Sequence, residues 1–256
     1  MATPSRRKPG APEKSRLDAL VEARGLAASR TEAQALIRAG RIWSGDKRLE
    51  KPGHSVRSDL ELELRGSERR WASRGGFKLD HALRHFDIDA TGATALDIGA
   101  STGGFTDVLL ARGAARVYAV DVGRGQLLWR LSQDPRVIVL DRLNARYLAA
   151  EHVPEPVDIV TCDASFIGLE TVLPAPLSLT GRGARLIALI KPQFEVGRGE
   201  VGKGGIVRNE AARAAACARV SHWLARQDGW RVLGLVESPI EGAGGNREYL
   251  IAGERG

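Results

Sequence analysis

The stretch Ala95-Leu96-Asp97-Ile98-Gly99-Ala100-Ser101-Thr102-Gly103-Gly104-Phe105-Thr106 constrains this chain more than any other. Apolar residues at 95, 96 and 98 read as the end of a buried strand. Glycines then make a turn, and residues 105–111 carry a helical pattern. A strand, a glycine turn and a helix open a nucleotide-binding βαβ unit. Glycine lets a backbone come close to a ligand, and the helix start offers unpaired N–H groups. The next apolar run, 116–120, ends in Asp121, twenty-two residues after Gly99. An acid about 20 residues past such a turn grips a ribose diol. The turn departs from G-x-G-x-x-G at its second glycine, where Ser101 stands. That argues against a pyrophosphate pressed on the turn, and so against NAD. Asp97, two residues before the first glycine, offers a carboxylate to an amino-acid ammonium, directly or through water. The cofactor described in this way is S-adenosylmethionine. Its candidate contacts are Asp97, Gly99, Ser101, Thr102, Gly103, Gly104, Phe105, Asp121 and Val122. Asp141 and Asn144, after a third apolar run at 137–140, either border the adenine or cap a helix.

Further apolar runs follow at 157–162, 185–190, 230–236 and 247–251, with a helical pattern at 211–226. Strands alternating with helices predict a mainly parallel sheet. The long connection 238–246 before the last run predicts an antiparallel edge strand. The expected fold is α/β: a Rossmann-like methyltransferase domain on a mostly parallel seven-stranded sheet. In such sheets ligands bind beyond the carboxyl ends of the strands. Asp163 and Lys191 both stand directly behind apolar runs, so they are expected at that same end, on neighbouring strands.

The chain ahead of this domain is basic. Residues 1–14 have no apolar segment behind them and read as a disordered arm, not a signal peptide. Residues 15–64 form a compact unit of two short helices, 16–21 and 29–37, with Ser29 or Thr31 as cap. A strand–turn–strand at 42–49 and an alternating strand at 60–64 follow. Arg16-Leu17-Asp18, then Gly25-Leu26-Ala27-Ala28-Ser29-Arg30, then Ala33-Gln34-Ala35-Leu36-Ile37-Arg38-Ala39-Gly40 and Lys51-Pro52-Gly53, make this unit resemble the S4 RNA-binding domain. The resemblance implies a second helix and turn that face structured RNA. Arg16, Arg30, Arg38, Arg41, Lys47 and Lys51 would be phosphate contacts, which position RNA without reading its sequence. The plainer reading is a solvated basic face. Residues 65–73 are charged and aperiodic, a linker in which Trp71 either packs at a junction or stacks on a base. Residues 74–256 are the methyltransferase domain.

A formal net charge of +7 fits a polyanionic partner. No apolar run approaches the roughly 18 residues of a membrane span. Cys162 and Cys217 form no close pair, and neither they nor the five histidines show metal-ligand spacing. No metal is expected, and a reducing, cytoplasmic setting is.

Four more segments complete the pattern: Ser73-Arg74-Gly75-Gly76-Phe77-Lys78-Leu79, Cys162-Asp163-Ala164-Ser165-Phe166-Ile167, Ile190-Lys191-Pro192-Gln193-Phe194-Glu195-Val196-Gly197 and Gly244-Gly245-Asn246-Arg247-Glu248-Tyr249. With the glycine turn, they make the chain resemble the TlyA (hemolysin A) family of rRNA 2′-O-methyltransferases, an S4 domain fused to an FtsJ-like methyltransferase domain. The resemblance implies ribosomal RNA, within ribosomal subunits, as the substrate, and a cytidine as the target. It also implies a catalytic Lys-Asp-Lys-Glu tetrad, which falls on Lys78, Asp163, Lys191 and Glu248. Two cations and two anions balance, which makes partial burial tolerable. Two other classes compete with this reading. One is an RNA-binding ribosome-assembly protein with an inactive methyltransferase fold, against which the complete tetrad argues. The other is a membrane-active hemolysin, against which the composition argues. The glycine-rich run 197–205 is either a loop that closes over RNA or a charged surface loop.

Overall fold

The computed structural model describes residues 14–27, 29–64 and 71–256. The basic arm, apart from Lys14, and linker residues 65–70 lie outside the described residues. The chain divides into two units between Glu68 and Arg69.

In the first unit, helices α1 (Leu17–Ala23) and α2 (Arg30–Arg38) close over Leu17, Val21, Ala33, Ile37, Ile42 and Leu49. Ser29, not Thr31, caps α2: its hydroxyl accepts the Glu32 N–H at 3.2 Å. Strand β1 (Lys14–Arg16) precedes α1, and β2 (Ile42–Ser44), β3 (Lys47–Arg48), β4 (Ser55–Arg57) and β5 (Glu63–Leu64) follow α2. β2 pairs antiparallel with β3 and β5, and β1 with β4. The alternation at 60–64 yields only the two-residue β5. The β1–β4 pair is too short to show a period in the sequence.

The second unit begins with residues assigned above to the linker. Trp71 is 5% exposed and packs in the core with Leu79, Ala82 and Phe105, so it is a packing residue here. The Ala72 N–H donates to Asp107 at 2.7 Å. Helix α3 (Gly75–His85) leads into β6 (Thr94–Ile98), α4 (Gly104–Ala111), β7 (Arg116–Asp121), α5 (Trp129–Ser132) and β8 (Val137–Asp141). β9 (Val157–Cys162), α6 (Leu169–Val172), α7 (Pro174–Ser178), β10 (Thr180–Ile190), α8 (Pro192–Glu195) and α9 (Glu210–Ala225) come next. β11 (Trp230–Glu237) and β12 (Tyr249–Arg255) close the order.

The seven strands lie in the order β11-β12-β10-β9-β6-β7-β8. β12 runs antiparallel to both neighbours. The last strand is therefore inserted between β10 and β11, and β11 is the edge. The burial explains this correction. Leu250, Ile251 and Ala252 of β12 are fully buried, as an inner strand requires, whereas β11 leaves Arg231, Leu235 and Glu237 exposed. From β6 the chain winds outward through β7 to β8, then crosses back to β9 on the other side of β6. That reversal opens a crevice beyond the carboxyl ends of β6 and β9.

Candidate active site

Four charged side chains converge on this crevice. Asp163 follows β9 and Lys191 follows β10, and these strands are parallel neighbours, with Ala188 opposite Cys162. The Lys191 Nζ lies 2.8 Å from Asp163 Oδ1, an ion-pair distance without hydrogen-bond alignment. It donates to the Asp163 carbonyl at 3.0 Å and to the Ser165 hydroxyl at 2.8 Å. Lys78, one turn into α3, pairs with Glu248 at 2.6 Å, and both are nearly buried. Gln193, two residues after Lys191, donates to Glu248 at 3.4 Å. All four charges line one cavity of about 330 Å³, with Thr102, Gly104 and Phe105.

The glycine turn makes this convergence possible. Gly99 has φ +78, and a Cβ there would lie 3.0 Å from the Asp163 carbonyl oxygen. A Cβ on Gly104 would sit 2.2 Å from the Ser73 hydroxyl and 3.1 Å from the Gly76 nitrogen. Here the glycines admit other segments of the protein: the end of β9, and the start of α3 that carries Lys78.

A second cavity of about 650 Å³ adjoins the first and shares Gly99, Ser101, Asp163, Ser165 and Phe166 with it. Its size suits a nucleoside-bearing ligand. Asp121 lines it, its carboxylate fixed by the N–H groups of Ser101 at 2.8 Å and Gly123 at 2.7 Å. Each oxygen keeps a lone pair for a ribose hydroxyl. Val122, Ile167 and Val172 give it an apolar lining suited to a base. Ser101 takes φ +46, so the residue standing in for the second glycine still adopts a left-handed conformation. Asn144 lines the cavity and caps the following turn by accepting the Arg146 N–H at 3.1 Å. Asp141 lines neither cavity and accepts the Gly125 N–H at 2.7 Å. Gly103 also lines neither, and serves as the φ +94 residue before α4.

Asp97 is set back from both cavities. It is fully buried, accepting the hydroxyls of Thr106 at 2.7 Å and Thr161 at 3.0 Å. It is therefore not a lining contact, because its side chain leaves the sheet on the α4 side. Burial pushes its carboxyl up to about 6, with nearby Asp163 adding to the shift. The unfolded value is about 4, so the folded protein holds this proton more tightly. Below about pH 4 both states are protonated and the carboxyl costs nothing. Between about 4 and 6 only the unfolded chain ionises, and stability falls; above 6 the full cost of about 2–3 kcal/mol persists. Asp97→Asn is expected to be more stable than the parent at pH 8, the gap closing by pH 4. Denaturant melts at the two pH values test this, and a gap that stays constant would remove ionisation as its cause.

Ser165, Phe166, Gln193 and Phe194 line the charged cavity and were not singled out from the sequence. Their signal was adjacency, since each lies within three residues of Asp163 or Lys191. Asn246, 3% exposed, ties the glycine-rich run to the turn before Glu248: it accepts the Val207 N–H at 3.0 Å and donates to the Gly205 carbonyl at 2.9 Å. Glu195 is likewise internal, holding the Leu169 N–H at 2.8 Å and Arg219 at 2.9 Å. Cys162 and Cys217 are buried thiols, pushed by burial up to about 12 and about 11.

In the first unit the expected phosphate contacts divide. Arg16 and Arg30 converge on fully buried Asp18, at 2.8 and 3.4 Å, and hold its carboxyl well below the usual range, so part of each guanidinium is committed internally. Arg38, Lys47 and Lys51 are exposed, and Arg41 is half-buried. Among the described residues no cluster of His, Cys, Asp and Glu is placed to hold a metal ion, and no helix is long and apolar enough to cross a membrane.

Comparison with known proteins decides the family. Residues 71–255 match the FtsJ-like methyltransferase model and residues 15–62 the S4 domain model. The chain is 48% identical over 239 residues to the 16S/23S rRNA (cytidine-2′-O)-methyltransferase TlyA of Mycobacterium tuberculosis, covering 93% of this chain and 89% of that protein. It belongs to the TlyA family of FtsJ-like methyltransferases. Hemolysin A of Brachyspira hyodysenteriae is 36% identical over 92% of this chain and 98% of its own length. A solved structure of a hemolysin-designated protein from Streptococcus thermophilus superposes with a TM-score of 0.72 at 39% identity, covering 96% of this chain and 90% of that one. TlyA-family membership accounts for both units together.

Proposed function

We propose that this protein transfers the methyl group of S-adenosylmethionine to a ribose 2′-hydroxyl of a cytidine in ribosomal RNA. The observation that carries this reading is the meeting of Lys78, Asp163, Lys191 and Glu248 in one cavity, against a nucleoside-sized cavity with an acid at the end of β7. The cofactor supplies an already activated methyl. Asp121 would hold its ribose, and Val122, Ile167 and Val172 its base. The protein's remaining task is to align a weak nucleophile, and alignment alone lowers such a barrier by several kcal/mol, roughly 7–11 at best. Lys191 would hydrogen-bond the hydroxyl oxygen and stabilise its developing negative charge. Asp163 would orient Lys191, and the Lys78–Glu248 pair would complete the neutral cluster. The exposed cations Arg38, Lys47 and Lys51 would bind RNA phosphates.

Tritiated-methyl transfer to ribosomal subunits from a strain lacking this gene tests the reading, with label expected in a 2′-O-methylcytidine. No transfer to either subunit would leave the assembly-factor reading in its place. Asp121→Ala is expected to weaken cofactor binding about tenfold to a hundredfold, the worth of one hydrogen bond to a charged acceptor. Calorimetry returning the parental affinity in a folded variant would take Asp121 out of the site.

A further inference from the structure

A lysine ammonium has three N–H bonds and no acceptor. In this site two of those on Lys191 donate to protein oxygens, the Asp163 carbonyl at 3.0 Å and the Ser165 hydroxyl at 2.8 Å, and the ammonium is held by charge against a third, Asp163 Oδ1 at 2.8 Å. The ribose oxygen of the reaction proposed above has to find a place among these three. The three holds differ in how easily they yield. Both Asp163 oxygens belong to a residue fastened to the sheet, since the Asp163 N–H donates to the Ile98 carbonyl at 2.9 Å. Ser165 stands two residues further along, exposed, on the connection between β9 and α6. A single χ1 rotation carries its oxygen away with no backbone movement. It also lines both cavities, between the charged cluster and the space for the cofactor, where an attacking oxygen has to arrive. Its functional group is the one the substrate brings, an aliphatic hydroxyl that accepts from the ammonium.

Resting on that reading of the reaction, we propose that Ser165 is a positioning residue that holds the place of the ribose 2′-hydroxyl. In the RNA-free enzyme its oxygen occupies one N–H of Lys191 and keeps the ammonium aimed at the reaction site. When RNA enters, the 2′-oxygen takes that N–H and the serine side chain turns out to solvent. One hydroxyl replaces another, so the exchange is close to neutral in free energy. The 2′-hydroxyl therefore adds little to RNA affinity, and its bond to Lys191 is preserved for the step in which charge develops on the oxygen.

The test uses the full-length protein and ribosomal subunits reconstituted with rRNA that carries either ribose or 2′-deoxyribose at the methylated position. For the parent, the two subunits should bind with affinities within about twofold of each other, because Ser165 stays on Lys191 when the hydroxyl is missing. For Ser165→Ala the ribose form should be favoured by about two- to tenfold, the worth of one unopposed hydrogen bond. Ser165→Thr keeps the hydroxyl and should restore the parental ratio. An unchanged binding ratio in Ser165→Ala overturns the proposal. A parent that methylates neither subunit would instead sink the underlying reading of the activity, and this inference with it.

Discussion

Replacing Lys191 by alanine is expected to slow single-turnover methyl transfer by about a hundredfold to a thousandfold at saturating RNA and cofactor. The expectation rests on where the ammonium is. It lies at the carboxyl end of β10, 7% exposed, on the boundary of the cavity that holds all four charges. A donor fixed in such a place needs no reorganisation when charge appears on the attacking oxygen, and its removal falls on the chemical step. Cofactor and RNA affinities should change far less than the rate. Lys191→Arg is not expected to rescue, because a planar guanidinium cannot occupy the point that three oxygens surround. The rival role is a phosphate contact, for which RNA affinity would fall and saturating RNA would restore the rate. A near-normal rate for Lys191→Ala under saturation would remove it from catalysis.

The second large effect is on stability. Lys78→Met should destabilise the protein by about 3–5 kcal/mol, the penalty for leaving one half of a buried ion pair alone. The side chains of Lys78 and Glu248 are 8% and 2% exposed, so the carboxylate left behind is poorly solvated, and Gln193 supplies only a single 3.4 Å bond. Lys78→Met combined with Glu248→Leu removes both charges and should recover most of the loss, while methyl transfer stays absent. Urea melts of the single and double variants decide this. A double variant no more stable than Lys78→Met alone would mean that packing, not an orphaned carboxylate, sets the penalty.

The parts of this molecule that were legible in the sequence are those fixed by short-range rules. The glycine turn, the acid-ended strand β7 and the apolar runs located five of the seven strands to within a residue, β10 and β12 being longer than their runs, and put Asp163 beside Lys191, because a parallel strand carries its chemistry just past its end. Where β12 sits was not legible. Its place depends on which strand can bury both edges, and Leu250 to Ala252 reveal that only against β10 and β11. Asp97 was read as a ligand contact from its position before the glycine. Whether its side chain turns toward the crevice or toward α4 is a matter of pleat direction, and Thr106 and Thr161 receive it on the buried side. Arg16 and Arg30 looked like free cations because their common partner, Asp18, is an acid whose complete burial no local pattern announces.

The place of β12 also sets when the enzyme comes into being. Glu248 stands 170 residues after its partner Lys78. β11, which pairs with β12 alone among the strands, leaves the ribosome before that partner does. A nascent chain carrying everything through α9 thus lacks Glu248, so the tetrad cannot close, and it lacks the strand that pairs with β10. Synthesis must reach Glu248 before the four charges can meet, and Arg255 before the sheet is complete.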